Sequence, residues 1–263
     1  MTSALKIQGL SVSYGGVRAV SGVDLLLAEG QLVGLIGPNG AGKTTLIDAC
    51  CGFTAATGQV LLAGEDISRL DPHQRARRGL ARTWQAADLF EDLTVRENLL
   101  VSTGPRPWRT TTREILTGRV ATSKNVDETL DGVGLGPLAD RGAHELSQGQ
   151  RKLVGVARAL VGKPKAVCMD EPAAGLDTRE SRELGTRLRG FVDAGLAMLL
   201  VDHDMGLVLS VCDHIVVLDF GKVIASGTPS DIRTHPAVIE AYLGRAAATV
   251  TDESTMPEGQ GAA

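Results

Sequence analysis

The stretch Gly37-Pro-Asn-Gly-Ala-Gly42-Lys43-Thr44 constrains this chain more than any other, because it matches the phosphate-binding pattern G-x-x-x-x-G-K-[ST]. Its context fits the pattern. The apolar run Gln31 to Ile36 (QLVGLI) reads as a buried strand, and Lys43 to Cys51 has the character of a helix. Glycines allow successive backbone N–H groups to turn inward on a phosphate, and the following helix adds the positive end of its dipole. Lys43 then supplies a point charge for the β- and γ-phosphates, and the Thr44 hydroxyl can ligate Mg²⁺.

Short apolar runs alternate with helical patterns along the rest of the chain. Gln59 to Leu62, Ala166 to Met169, Ala197 to Val201 and His214 to Leu218 read as strands. Asp71-Pro72 and Thr94-Val-Arg-Glu97 read as helix starts, and Gly149 to Val161 and Thr178 to Asp193 read as helices. Strands alternating with helices imply an α/β fold with a largely parallel sheet covered on both faces. Residues Ala86 to Lys163 carry few strand signals and are expected to form a mostly helical insertion. The stretch Ala246 to Ala263 has three acidic residues, no basic ones and almost nothing large and apolar, so it is expected to be a disordered tail beyond a domain spanning residues 1 to 245.

Composition excludes several classes. Twenty-seven basic residues against 31 acidic ones give a net charge of −4, which argues against a surface built to neutralise nucleic acid. Four cysteines (Cys50, Cys51, Cys168, Cys212) show no metal-ligand spacing, and no apolar run approaches the ~18 residues of a membrane span. The sequence reads as a cytoplasmic chain.

Two further constellations carry chemistry. Ala166-Val-Cys-Met-Asp170-Glu171 is an apolar strand ending in two carboxylates, at the end of the strand where ligands bind in open α/β sheets. Asp170 can hold Mg²⁺ there while Glu171, on the opposite face by strand alternation, polarises an attacking water. Leu146-Ser147-Gln148-Gly149-Gln150 stands before a helix, where a hydroxyl, a bare glycine backbone and a helix N-terminus make a second phosphate-binding surface. One γ-phosphate does not need two such surfaces in one chain. The simplest use is a site shared between two copies; taken alone, the serine would be only a helix cap.

In this order the motifs resemble the nucleotide-binding subunits of ABC transporters, over nearly all of Leu5 to Arg245. The resemblance implies a P-loop NTPase core with a parallel sheet, an antiparallel β subdomain and the helical insertion. It implies ATP contacts at Gly37, Pro38, Asn39, Gly40, Ala41, Gly42, Lys43, Thr44 and Thr45, with Tyr14 stacking on adenine and Val20 beside it. Gln85 matches the glutamine that touches Mg²⁺ and reports to membrane subunits, so Thr44, Gln85 and Asp170 become the metal ligands. Ser147, Gln148, Gly149 and Gln150 match the signature that meets the partner's ATP. Asp177 matches the D-loop, and His203 the switch histidine that contacts the γ-phosphate, joining Glu171 and Lys43 in catalysis. Gln148 replaces the commoner glycine of the signature, and Ala174-Gly175 the usual Ser-Ala before Leu176-Asp177; neither change removes a chemical group.

The finer resemblance is to the branched-chain amino-acid uptake subfamily. It rests on Glu171-Pro-Ala-Ala-Gly-Leu176, on Arg82-Thr-Trp-Gln85, and on Val217 to Gly244 with its terminal Ala-Tyr-Leu-Gly. It implies an ATPase on the inner face of the cell membrane that works with permease subunits, a second ATP-binding subunit, identical or homologous, and indirectly an extracytoplasmic solute-binding protein. Urea or short-amide uptake, lipopolysaccharide export and a non-transport ATPase stay open as alternatives. Chromosome-maintenance ATPases need a long coiled-coil insertion, for which Ala86 to Lys163 is too short and too broken by proline and glycine. Ribosome-binding ATPases resemble tandem cassettes, and a non-catalytic module would not retain Lys43, Asp170, Glu171 and His203.

Overall fold

Every residue of β3 (Leu32–Ile36), β7 (Ala166–Asp170) and β8 (Ala197–Val201) is buried, which only strands covered on both faces tolerate. In the computed structural model, which describes residues 3–83, 89–103 and 124–242, these strands form the centre of a six-stranded sheet. Its order is β10-β9-β3-β8-β7-β6, with β6 (Leu80–Arg82), β9 (His214–Asp219) and β10 (Lys222–Gly227) completing it. All neighbours run parallel except the β9/β10 hairpin. A second, antiparallel sheet has the order β2-β1-β4-β5, built from β1 (Ser3–Tyr14), β2 (Val17–Ala28), β4 (Thr57–Leu62) and β5 (Glu65–Asp66).

The period of two along each central strand sorts the core into two layers. Ala166 and Cys168 of β7, with Leu199 and Val201 of β8, face α1 (Lys43–Cys51) and the antiparallel sheet. Val167 and Met169, with Met198 and Leu200, face the other layer. That layer is built by α3 (Val95–Ser102), α4 (Lys124–Val133), α5 (Gln148–Leu160), α6 (Thr178–Asp193) and α7 (Met205–Val211). Asp170, two residues beyond Cys168, is therefore delivered to the α1 side.

Helices α1 and α6 and strand β8 have the bounds their sequence patterns suggest. The described residues between 89 and 163 form α3, α4, α5 and two short 3₁₀ turns, with one isolated bridge between Thr94 and Gly142. The tail from 246 onward lies outside the described residues. Among the described residues, no helix is long and apolar enough to cross a membrane.

Two short helices complete the chain: α2 (Pro72–Arg77) and α8 (Pro229–Thr234). Arg75 of α2 is buried and donates to the Ala49 and Cys50 carbonyls at the end of α1, at 3.0 and 2.6 Å. A cation there satisfies orphan carbonyls and opposes the negative end of the helix dipole. The far end of α1 is thus fixed from within the core.

Candidate functional site

The phosphate-binding loop joins β3 to α1, and its shape depends on what packs behind it. Gly42 caps α1 in a left-handed conformation, and a Cβ there would lie 2.6 Å from the Ala19 carbonyl. Val20 is fully buried against the same glycine, so it braces the loop from behind. Tyr14, at the tip of the β1–β2 hairpin, is exposed, with its hydroxyl 3.4 Å from that of Thr54. On the other side, Gly221 donates to the Ala41 carbonyl at 2.9 Å, tying the β9–β10 turn to the loop.

The N-terminus of α1 has no side-chain cap and no acidic residue in its first turn. Elsewhere in the chain the side chains of Thr94, Ser147, Asp177, Asp204 and Thr228 each cap the helix that follows them. The first turn of α1, including Thr44 and Thr45, thus lacks the side-chain acceptor found at those helix starts, which is the condition for holding an anion. Lys43 is folded back, donating to the Gly37 carbonyl at 2.7 Å and the Pro38 carbonyl at 3.1 Å. Its ammonium is held at the loop rather than in solvent.

The carboxyl ends of β7 and β8 supply the acidic half of the site. The Asp170 side chain is wholly buried, and neither of its oxygens has a hydrogen-bond partner by geometry. Burial raises its pKa, against the pull of the Arg82 guanidinium 3.5 Å away and of the Thr44 hydroxyl. Arg82 also pairs with Asp48 of α1 and lies over the Phe53 ring, 5.5 Å from its centroid. Among the described residues no cluster of three or more His, Cys, Asp or Glu could hold a metal alone. An orphaned buried carboxylate beside a hydroxyl suits Mg²⁺, which binds through one or two carboxylates and completes its shell with water and phosphate oxygens.

Glu171 departs from strand geometry. Its φ is +49°, a left-handed conformation rare for a side-chain-bearing residue, and its N–H donates to the Val201 carbonyl at 2.8 Å. Its carboxylate is one-third exposed, with Oε1 4.0 Å from Nδ1 of the largely exposed His203. Two candidate residues from neighbouring strand ends therefore face one another at the carboxyl end of the sheet. Asp202, buried beside His203, accepts from the Ala173 N–H at 3.2 Å and the Asp204 N–H at 3.0 Å.

The stretch around Ser147 is a reciprocal cap. Ser147 Oγ accepts from the Gln150 N–H at 3.2 Å, and Gln150 Oε1 accepts from the Ser147 N–H at 3.0 Å. Capping uses the acceptor capacity of the hydroxyl, and its proton can still be given to another group. Gln148 opens α5, and Gly149 lies against Leu176: a Cβ there would be 2.8 Å from Leu176 Cδ2. Asp177 caps α6, accepting from the Arg179 and Glu180 N–H groups at 2.8 Å each.

Gln85 lies outside the described residues. Arg82, Asp48 and Asp202 are parts of the site that motif reading did not single out. Nor did it single out Tyr242, whose phenol has its pKa raised by burial, against the pull of the nearby Gly37 N–H. Arg82, in Arg82-Thr-Trp-Gln85, and Tyr242, in the terminal Ala-Tyr-Leu-Gly, stand in stretches that carry the resemblance; Asp48 and Asp202 do not.

Comparison with known proteins agrees with this geometry. Residues 20–174 match the family described as "ABC transporter", and residues 222–248 match "Branched-chain amino acid ATP-binding cassette transporter". The chain is 40% identical over 256 residues to the high-affinity branched-chain amino acid transport ATP-binding protein BraF of Pseudomonas aeruginosa, covering 92% of this chain and 98% of that one. It is 39% identical over 260 residues to the corresponding LivG protein of Escherichia coli K12, with the same coverage. Among solved structures, an ATP-binding cassette of an ABC transporter in its ADP conformation matches with a TM-score of 0.81 at 31% identity, over 93% of this chain and all of that one.

Proposed function

The chain belongs to the ABC transporter family and is an ATP-hydrolysing subunit, and we propose that it powers uptake of branched-chain amino acids through partner permeases. The observation that carries the ATP chemistry is the uncapped start of α1 set beside the orphaned Asp170 carboxylate. The observation that favours the solute is the match of the C-terminal segment, residues 222–248, to a branched-chain amino acid transporter family.

Binding of ATP would draw the Lys43 ammonium from the Gly37 and Pro38 carbonyls onto the β- and γ-phosphates, with the loop amides around it. Tyr14 would stack on the adenine. Thr44 and Asp170, with Gln85, would hold Mg²⁺, which when bound neutralises phosphate charge and orients the transferred group. Glu171 takes the proton of the attacking water, and His203 donates to the γ-phosphate from the adjacent strand end. The Ser147 hydroxyl, already fixed by its cap, donates to ATP held by a second cassette, identical or homologous. That head-to-tail arrangement closes two sites at once.

The permease contact we assign to the groove beside β6. A cavity of about 280 Å³ there is lined by Phe53, Arg82, Ser102 and Arg158 among others, and exposed Phe90 lies over Arg158. Exposed rings backed by guanidinium groups suit an amphipathic helix end of a membrane subunit. The chain would then sit on the inner face of the membrane, with a solute-binding protein on the opposite side.

Proteoliposomes holding the chain, its permeases and its binding protein would test this reading. Labelled leucine should enter only with Mg·ATP, and Glu171→Gln should cut turnover by ~10²–10⁴-fold. Uptake of urea or a short amide in place of leucine would overturn the solute. Failure of any membrane subunit to co-purify with the chain from detergent-solubilised membranes would overturn the transport role.

A further inference from the structure

We propose that Asp202 is a positioning residue for hydrolysis: its buried carboxylate clasps the loop carrying Glu171 to the loop carrying His203. The inference rests on the reading of Glu171 as the base and His203 as the γ-phosphate contact. Asp202 directly follows the last residue of β8, and its side chain is wholly buried. One oxygen accepts from the Ala173 N–H, two residues past Glu171; the other accepts from the Asp204 N–H, one residue past His203. The His203 Nδ1 lies 3.8 Å from the oxygen that Asp204 holds. Asp204 is itself anchored, accepting from the Ser181 hydroxyl at 2.9 Å and the Leu207 N–H at 3.1 Å. The clasp is therefore fastened to the body of α6 and α7.

A left-handed glutamate persists only where its surroundings over-determine it. Glu171 is bracketed in this way, by its own N–H on the Val201 carbonyl and by Ala173 on Asp202. An ionised carboxylate is an expensive way to satisfy two buried N–H groups unless rigid placement is what it secures. Burial pushes the Asp202 carboxyl upward, and its two backbone hydrogen bonds draw it back down. Losing one bond would let Glu171 and His203 drift from their 4.0 Å approach while leaving the loop at Lys43 untouched. The expected signature is a fault in turnover, not in ATP binding.

Four chains test this: Asp202→Asn, Asp202→Glu, Glu171→Gln and the Asn–Gln double variant. Asparagine keeps one acceptor but aims an NH₂ at the second N–H, so kcat should fall ~10–100-fold, the effect of a sub-ångström to one-ångström misplacement. The KM for ATP should stay within about threefold. Asp202→Glu keeps two acceptor oxygens and should restore most of the rate. Because Asp202 acts in part through the Glu171 loop, adding Asp202→Asn to Glu171→Gln should cost less than Asp202→Asn costs alone, the remainder being the displaced His203. Amide hydrogen exchange reads the clasp independently: Ala173 and Asp204 should be protected in the wild-type chain and exchange faster in the Asn variant, with β8 unchanged.

Unprotected Ala173 in the wild-type chain would overturn the clasp whatever the variants do. Faster exchange at both amides with kcat within about twofold of wild type would show a clasp that positions nothing. Losses that multiply in the double variant would likewise refute action through Glu171. Wild-type turnover in Glu171→Gln alone would instead overturn the underlying reading of the base, and the clasp's catalytic role with it.

Discussion

Arg82→Ala should destabilise the nucleotide-free protein, and the penalty should depend on pH in a direction the structure dictates. The Arg82 side chain is 8% exposed and pairs with the wholly buried Asp170 and with Asp48, which is 27% exposed. Removing one partner of a buried ion pair costs ~3–5 kcal/mol, because a charge is left without compensation. Two features lower that figure here. Water reaches Asp48, and Asp170 can escape by taking up a proton, which its burial already favours. About 2–3 kcal/mol is the resulting expectation, equivalent to a fall of ~5–10 °C in Tm for a domain of this size.

The pH dependence follows from linkage. Asp170 has a raised pKa in the folded chain, so between the ordinary carboxylate value and that raised value the folded state holds more protons than the unfolded state. Stability from this group is therefore greatest at low pH and falls as pH rises through the window. Arg82 draws the carboxyl down; without it the window extends upward. Thermal melts of the two chains in EDTA should show a gap that narrows from pH 7.5 to pH 5.5. Adding Asp170→Asn to Arg82→Ala removes the charge that needed compensating, and should recover most of the lost Tm at pH 7.5. An equal gap at both pH values, or no recovery in the double variant, would refute the pairing argument.

Three other outcomes follow from single contacts. Lys43→Ala should weaken ATP binding by ~10–100-fold, the worth of a charge-assisted hydrogen bond to phosphate, as read by titration with a fluorescent nucleotide. Gly149→Ala places a Cβ 2.8 Å from Leu176 Cδ2, so light scattering should show weaker ATP-driven association while Tm moves by only ~1–3 °C, since Leu176 can shift. Tyr242→Phe removes a partly buried phenol near the Gly37 N–H, and should lower stability by no more than about 1 kcal/mol in urea unfolding.

Periodicity made the parallel core legible: β3 and β8 are unbroken apolar runs, β7 is one up to its last residue Asp170, and α6 is a capped amphipathic helix whose start at Asp177 is a sequence signal in itself. Of the antiparallel sheet only β4 shows in the residue pattern, at Gln59 to Leu62, and the sheet itself follows from family resemblance, because β1 hides its own period. Its register against β2 shifts between Ile7 and Leu10, around a left-handed Gly9, so its buried residues do not simply alternate. β6 is three residues long and β10 lies at an edge, too little apolar sequence for either to announce a strand. Arg82, Asp48 and Tyr242 act through contacts at separations of 34, 88 and about 200 residues, and no local pattern encodes such pairings.

Strand alternation accounts for Asp170 and stops there. Because Ala166 and Cys168 face α1, Asp170 must arrive on that side, beside Thr44 and Asp48, as the sequence pattern implies. The same rule would send Glu171 to the opposite face. A φ of +49° removes it from that rule and leaves its carboxylate at the carboxyl end of the sheet, 4.0 Å from His203. Nothing in the residue types Asp-Glu-Pro favours a left-handed glutamate; the conformation is held from β8, through the Val201 carbonyl and the Asp202 carboxylate. The residue assigned to water activation thus depends on contacts 30 residues away in sequence, so chain variants at the end of β8 should alter turnover as surely as variants in the motif that carries the glutamate.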